Sequence, residues 1–453
     1  MRNMERIHKY TLNGKNIVLD INSGAVHVVE DIVYDILDYY GTYAVEKIVE
    51  FLKDKYAEFD IREAYKEISV LEEQGLLFSE EVPIQYIKYN EDNIVKALCL
   101  HVAHDCNLRC NYCFASQGDF KGNRSLMSLG VGKKALDFLV KNSGNRRNLE
   151  VDFFGGEPLM NFDVVKELVI YGKDLEKVHN KHFRFTITTN GVLLDEDKME
   201  FINKYMDNVV LSLDGRKEIN DNMRKTVSGK GSYDIILPKF QKMVAKRGDK
   251  DYYIRGTFTS YNLDFSKDAI DFYQKGFKKI SIEPVVTSPD EDYAIREEHL
   301  DTVLKEYEQF SREYLKIKKQ DDEFLFFHFM IDLNQGPCII KRAVGCGAGS
   351  EYMAVTPEGD LYPCHQFVGN EKFKIGDVYE GILNTKIREE FKEANVYNKE
   401  KCRNCWARFY CSGGCHANAY NYHGDFMKPY DIGCEMEKKR IECAISILAN
   451  LQE

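Results

Sequence analysis

The chain has 453 residues and a formal net charge of −11, with 62 Lys and Arg against 73 Asp and Glu. That length accommodates two or three domains, and the acidic balance argues against a nucleic-acid binder. No apolar run reaches the roughly 18 residues of a membrane span, and the opening Met1-Arg2-Asn3-Met4-Glu5-Arg6 lacks the apolar region of a signal peptide. A cytoplasmic protein with neither nucleic-acid nor membrane partners is expected. Thirteen cysteines without a secretory signal point to metal ligation rather than disulfides.

Residues 1–90 read as a first unit. Two short strands, Lys9–Leu12 and Ile17–Ile21, flank the turn pair Asn13-Gly14, and Ala25–Val29 reads as a third. Helical periodicity follows at 31–39, 44–55 and 61–74, closed by Gly75, with Leu76-Leu77-Phe78 as a short final strand. Strands with three helices in so short a stretch suggest a small winged-helix-like fold.

Residues 91–295 alternate strands with helices. Strands are expected at 97–103, 149–154, 183–188, 208–213, 252–258 and 279–285, with amphipathic helices such as 131–141 and 163–178 between them. Six such units predict an α/β fold, a partial (β/α)6 barrel whose chemistry sits at the C-terminal strand ends. A charged helix over 296–320 dominates a bridge, residues 296–337. Residues 338–453 hold nine of the cysteines and little apolar periodicity before a last helix near 434–450, so ligands rather than a hydrophobic core are expected to organise them.

After the first strand of the second unit come Cys106, Cys110 and Cys113, spaced C-x3-C-x2-C. A structural zinc site wants four ligands, and no fourth Cys or His follows at zinc-finger spacing. Three close thiolates suit a [4Fe–4S] cluster with one iron open. The run resembles the signature of the radical S-adenosylmethionine (SAM) enzymes, in which that iron binds the amino and carboxylate groups of SAM. The resemblance implies that the cluster of Cys106, Cys110 and Cys113 is the catalytic centre, that SAM is cleaved to a 5′-deoxyadenosyl radical, and that a one-electron donor such as ferredoxin or flavodoxin is a partner. Such clusters are oxygen-labile, which fits an anaerobic cytoplasm.

The second strand leads into Gly155-Gly156-Glu157-Pro158, the third ends Thr188-Thr189-Asn190-Gly191, and the fourth ends Ser212-Leu213-Asp214-Gly215. Two glycines allow close backbone approach to a ligand. Hydroxyl, amide and carboxylate groups at adjacent strand ends suit a ribose and an amino-acid carboxylate. All are also ordinary turn chemistry. By resemblance, backbone around Gly155, Gly156 and Glu157 holds the SAM ammonium; Thr188, Asn190, Ser212 and Asp214 line the SAM site; Arg224 meets the carboxylate; Tyr112 packs on the adenine; and Ile282 in the sixth strand caps it.

Further on stand Cys346, Cys364, then Cys402-x2-Cys405-x5-Cys411-x3-Cys415, then Cys434. Seven thiolates are too many for one cluster and one short of two. These positions resemble the SPASM extension of radical SAM enzymes that modify peptides. That implies an outer auxiliary [4Fe–4S] cluster on Cys402, Cys405, Cys411 and Cys434, and an inner one on Cys346, Cys364 and Cys415, with Cys338 or an open site as its fourth position. Three [4Fe–4S] clusters are therefore expected. Cys99 and Cys443, in an apolar strand and the last helix, read as buried free thiols.

The N-terminal unit resembles the peptide-recognition domain of ribosomal-peptide maturases, and both Asp20–Val29 and Tyr362–Phe367 resemble maturases of the "six cysteines in forty-five" peptides. The resemblance implies intramolecular thioethers between a Cys sulfur and a carbon of Thr or another acceptor in a ribosomal precursor peptide whose leader binds the N-terminal domain. One rival is a sulfatase maturase making formylglycine. In that family an Asp follows the cysteine at the place of Cys364, whereas His365 stands here. A quinohemoprotein-type or cyclophane-type peptide maturase is a third possibility, and a non-catalytic iron–sulfur regulator that reads DNA with the N-terminal winged helix is a rival of a different class.

Overall fold

The structure, a computed structural model, describes residues 6–81, 93–333 and 343–452. Met1–Glu5, the expected domain junction at residue 90, and Cys338 with the junction before it lie outside the described residues.

Strands β1 (Ile7–Leu12), β2 (Lys15–Asp20) and β3 (Val26–Val29) form an antiparallel meander. Asn13 and Gly14 take φ of 52° and 78°, the left-handed pair that a tight hairpin requires. Helices α1 (Asp31–Ile36), α2 (Val45–Leu52) and α3 (Glu58–Glu73) cover one face, where Val18 packs with Ile36, Ile48, Ile61 and Ile68. Leu76–Phe78 is not the expected strand. Leu77 and Phe78 are buried in that helical core, and the Leu76 carbonyl lies 2.9 Å from Nε2 of His27. An apolar triplet reads as a strand, but here it closes the helical layer.

The second unit supplies β4 (Ala97–Ala103), a two-stranded ladder of β5 (Leu108–Cys110) with β9 (Arg224–Thr226), and strands β6 (Asn148–Gly155), β7 (His182–Thr189), β8 (Asn208–Ser212), β10 (Tyr253–Phe258) and β11 (Lys279–Pro284). Strands β4, β6, β7, β8, β10 and β11 are parallel neighbours in that order. Helices α4 (Leu129–Asn142), α5 (Phe162–His179), α6 (Glu196–Tyr205), α7 (Lys217–Met223), α8 (Tyr233–Arg247) and α9 (Phe265–Gln274) connect them. Each of the six expected strands is present within a residue or two of its expected bounds. In β6 and β7 the alternate residues Leu149, Val151, Phe153 and Phe183, Phe185, Ile187 are buried in one core with Leu168 and Val169. Helix α10 (Leu300–Lys318) lies within the expected 296–320 and leads to β12 (Leu325–Phe326), which pairs parallel with β11.

The C-terminal region continues the same sheet. Strand β13 (Tyr352–Val355) pairs parallel with β4, and β14 (Asp360–Tyr362), β15 (Gly376–Asp377) and β16 (Gly381–Ile382) extend it antiparallel to eleven strands. This region is also packed into the apolar core of the parallel sheet, contrary to the expectation of ligand-only organisation: Phe367, Phe373, Phe391, Tyr420 and Phe426 pack ring against ring within it. Phe391 and Tyr420 sit on the short helices Thr385–Glu393 and His416–His423, and Phe367 and Phe373 on single 3-10 turns, elements too short for a sequence period to stand out. The last helix, Asp431–Leu451, packs along α10, with Arg440 Nε donating to Tyr307 Oη at 2.9 Å. Among the described residues no helix is long and apolar enough to cross a membrane.

Candidate iron–sulfur and cofactor site

The cysteine loop begins where β4 ends, and two features pin it. Strand β5 pairs Cys110 with Arg224 across the β5–β9 ladder. Gly156 and Glu157 donate their N–H groups to the carbonyls of Ala103 and Asp105 at 2.8 and 2.9 Å. Those contacts explain the glycines: a Cβ on Gly155, at φ 120°, would stand 2.3 Å from the Ala103 oxygen, and one on Gly156 would stand 2.2 Å from that of Asp105.

Glu157 is an organiser of the strand ends. Its Oε1 accepts from Thr189 Oγ1 at 2.7 Å and Leu159 N–H at 3.0 Å, and its Oε2 accepts from Asn190 N–H at 2.8 Å. Asn190 in turn donates through Nδ2 to Asn107 at 2.8 Å and approaches Cys106 Sγ at 3.6 Å. Leu108 N–H also points to that sulfur, at 3.4 Å.

A second network joins three expected residues. The Tyr112 hydroxyl donates to the Asp214 carboxylate at 2.7 Å and accepts from Arg224 Nη1 at 2.7 Å, while Thr257 N–H donates to Asp214 at 3.2 Å. Asp214 is fully buried, and burial raises its carboxyl pKa despite Arg224. Arg224 Nε is buried without a partner.

One cavity of about 750 Å³ collects most of the expected residues. Its wall includes Cys106, Cys110, Tyr112, Cys113, Gly155, Gly156, Glu157, Thr188, Asn190, Ser212 and Arg224 from the parallel core. The same cavity is lined by Cys346, Cys411, Cys415 and Cys434 from the C-terminal region. Asp214 and Ile282 are fully buried and stand behind the wall, and Cys364, Cys402 and Cys405 are not part of it. Cys99 and Cys443 are fully buried thiols.

Sequence reasoning did not single out several charged residues here. Arg255, Glu283 and Arg440 line the cavity, and Asp152 on β6 neighbours Arg255, with burial pushing its carboxyl up to about 7. Lys399 is 1% exposed, donates to the Gly413 carbonyl at 2.9 Å, and stands among Cys402, Cys411, Cys415 and Cys434. A lone Arg or Lys between motifs carries no spacing signal, so only the fold identifies them. His365, the residue after Cys364, lines the cavity too, with Tyr352 Oη 3.2 Å from its Nδ1 and burial holding it neutral, its pKa lowered to about 4.

The donor set fits iron–sulfur clusters. All twelve described cysteines are free thiols. Burial pushes Cys110 up to about 11 and Cys106 and Cys434 up to about 12, so ligation must displace protons. Among the described residues no three Cys, His, Asp or Glu side chains converge on a single ion. A cluster is larger than one ion and holds its thiolates at separate corners. The N–H donors on Cys106 Sγ are the kind that orient and tune such a ligand.

An iron–sulfur protein on a parallel α/β core, with a cofactor cavity at its strand ends, is the class that this arrangement defines. Residues 100–254 match the model of the radical SAM superfamily, and 346–406 match that of the SPASM iron–sulfur cluster-binding domain. The chain thus carries a radical SAM domain and a SPASM domain; the first implies a [4Fe–4S] cluster and SAM, and the second suggests additional clusters. It is 29% identical over 340 residues to a cysteine-type anaerobic sulfatase-maturating enzyme of Clostridium novyi, covering 69% of this chain and 86% of that protein. It is 24% identical over 342 residues to the antilisterial bacteriocin subtilosin biosynthesis protein AlbA of Bacillus subtilis, 71% of this chain and 68% of that one. Its fold is similar to that of native anSMEcpe with bound AdoMet, with a TM-score of 0.63 at 21% identity over 79% of this chain and 99% of that one. It also resembles Streptococcus suis SuiB bound to precursor peptide SuiA, with a TM-score of 0.52 at 16% identity over 94% of this chain and 98% of that one.

Proposed function

We propose that this enzyme matures a ribosomally made, cysteine-rich precursor peptide by joining a Cys sulfur to a carbon of Thr or another acceptor residue. The observation that carries the reading is the shared cavity: the Cys106–Cys113 loop and four cysteines of the SPASM region face one chamber. A peptide carbon that gives up a hydrogen atom on the core side and a Cys sulfur, having lost its proton, on the SPASM side would meet there. The one electron that closing the C–S bond releases would pass to an auxiliary cluster. When bound, the cluster and SAM supply the 5′-deoxyadenosyl radical that takes hydrogen from an unactivated carbon.

The chain's own residues do the positioning. Cys106, Cys110 and Cys113 would hold the SAM-binding cluster. Arg224, with its free buried Nε–H, would take the SAM carboxylate. The Tyr112 hydroxyl and Asp214 hold Arg224 in place, while the Tyr112 ring, on the cavity wall, would pack on the adenine. Thr188, Asn190 and Ser212 would address the rest of SAM. Cys402, Cys405, Cys411 and Cys434 would bind the outer auxiliary cluster, and Cys346, Cys364 and Cys415 the inner one, for three in all. Cys338, outside the described residues, is the candidate fourth ligand of the inner cluster.

The meander of β1–β3 supports leader recognition, because among the described residues β3 pairs only with β2 and leaves a sheet edge to which an extended peptide can add. A ferredoxin or flavodoxin would supply electrons.

Formylglycine formation is the second reading, favoured by the sulfatase-maturating relative. His365 at the position of that family's Asp speaks against it. Mass spectrometry of a cysteine-containing peptide after reaction with SAM and reductant separates them: a thioether removes two hydrogens and keeps the sulfur, whereas formylglycine from Cys loses the sulfur. Absence of 5′-deoxyadenosine would point instead to the non-catalytic regulator.

A further inference from the structure

We propose that Arg255 forms an anion-binding subsite that takes a carboxylate side chain of the peptide close to the residue being modified. In the parallel register Arg255 on β10 stands beside Ser212 on β8 and Ser281 on β11. Its side chain is open to the cavity. Among the described residues none of its nitrogens has a hydrogen-bond or ion-pair partner.

The charges around it are committed elsewhere. Glu283 accepts from Ser281 Oγ at 2.9 Å and lies 3.1 Å from His328 Nε2. Arg440 donates to Tyr307 at 2.9 Å and pairs with Glu437 at 3.2 Å; it is 7% exposed, yet its Nη2 is buried with no acceptor on the wall of the same cavity. Asp152, the remaining acid near Arg255, meets Thr188 Oγ1 at 3.5 Å and lies beyond ion-pair distance of the guanidinium. The raised pKa of Asp152 further weakens it as a counter-ion. Arg255 thus has no acid in direct contact, and Glu283 and Asp152 act on it only from beyond ion-pair distance. An exposed guanidinium with no direct partner is free to take a ligand, and its planar fork matches a carboxylate bidentately. The SAM carboxylate has its own candidate partner in Arg224, so the open position falls to the substrate.

The proposal rests on the peptide reading above, and its test is a binding measurement independent of turnover. Anaerobically reconstituted, SAM-loaded enzyme is titrated calorimetrically with acetyl-Gly-Cys-Gly-X-amide, X being Asp, Asn or Lys. The expected result is that Asp binds about tenfold tighter than Asn and that Lys binds worst. Arg255→Gln should bring Asp and Asn within about twofold, and Arg255→Lys should restore part of the preference. Equal affinities in the wild type, a preference that survives Arg255→Gln, or no binding by any of the three peptides would each overturn the subsite. So would a tenfold loss of SAM affinity in Arg255→Gln, which would assign the guanidinium to the cofactor. Formation of 5′-deoxyadenosine by the same wild-type sample reports separately on the radical SAM reading.

Discussion

Glu157 illustrates how a motif residue works in the fold. Its two oxygens take three donors from three positions, so it ties the β6 exit to the end of β7. The adjacent Gly156 leaves no room for a side chain against Asp105. Gly156→Ala must push the β6 exit away from the cysteine loop, and SAM affinity should fall at least about tenfold, as misplacement by an ångström usually costs. Equilibrium dialysis of the reconstituted variant checks this; affinity within twofold of wild type would remove the close-approach argument. Lys399 offers a second test. A buried cation beside cluster thiolates favours the reduced, more negative state. Lys399→Gln should therefore lower the reduction potential of an auxiliary cluster, on the order of 50 mV, close to the 59 mV of a tenfold one-electron change. An unchanged voltammogram would separate Lys399 from the clusters. Asp152 gives a pH signature. Its folded pKa, about 7, is raised above the ordinary 3.8. Its contribution to stability is therefore fully present below the unfolded value and lost as pH climbs through about 7. Apo protein should melt lower at pH 8 than at pH 5.5, and Asp152→Asn should flatten that slope.

The N-terminal sheet has two working faces. Val18 belongs to the helical side, while its neighbours Ile17 and Leu19 pack against Ala407, Ile441 and Ile445 of the SPASM region, with Cys405 and Cys411 at the edge of that cluster. His8 stacks on Trp406 with centroids 3.7 Å apart and planes 4° apart, and Arg408 donates to Asn22 at 2.8 Å. The sheet thus forms a wall against the loop that carries the outer-cluster cysteines. Trp406→Ala should loosen this docking by about 1–3 kcal/mol, the usual cost of losing an aromatic pair and its packing. Hydrogen exchange in β1 and β2 should rise selectively; uniform exchange would make the stack incidental.

For the whole molecule, ten cysteines divide into one triad and one set of seven, which predicts about twelve irons per chain at four per cluster. Replacing Cys106, Cys110 and Cys113 by Ala should leave about eight irons and no SAM cleavage. Iron near four would sink this partition. Deleting residues 6–81 has a cost beyond peptide binding. It strips the cover from Ile441, Ile445 and the Cys405–Cys411 loop, so the truncated chain should also lose the outer cluster's iron. Leader recognition is therefore better tested with substitutions on the β3 edge, where Val28 is 49% exposed.

The sequence by itself determined the cysteine motifs, the six parallel strands and the helices between them, because those signals are local: thiol spacing, strand-ending glycines and apolar periodicity. It also pointed to the hairpin at Asn13-Gly14, where only a left-handed pair closes so tight a turn. Three things needed the tertiary structure. The aromatic packing around Phe373 and Phe391 joins a 3-10 turn to a nine-residue helix, elements too short to stand out by period. The addition of β13 to β4 joins residues some 250 positions apart, a contact that no local pattern encodes. The meeting of Arg255, Glu283 and Arg440 on one wall with the cysteines is set by strand register and helix packing. A charge becomes informative only when its neighbours, and the counter-ion it lacks, are brought beside it.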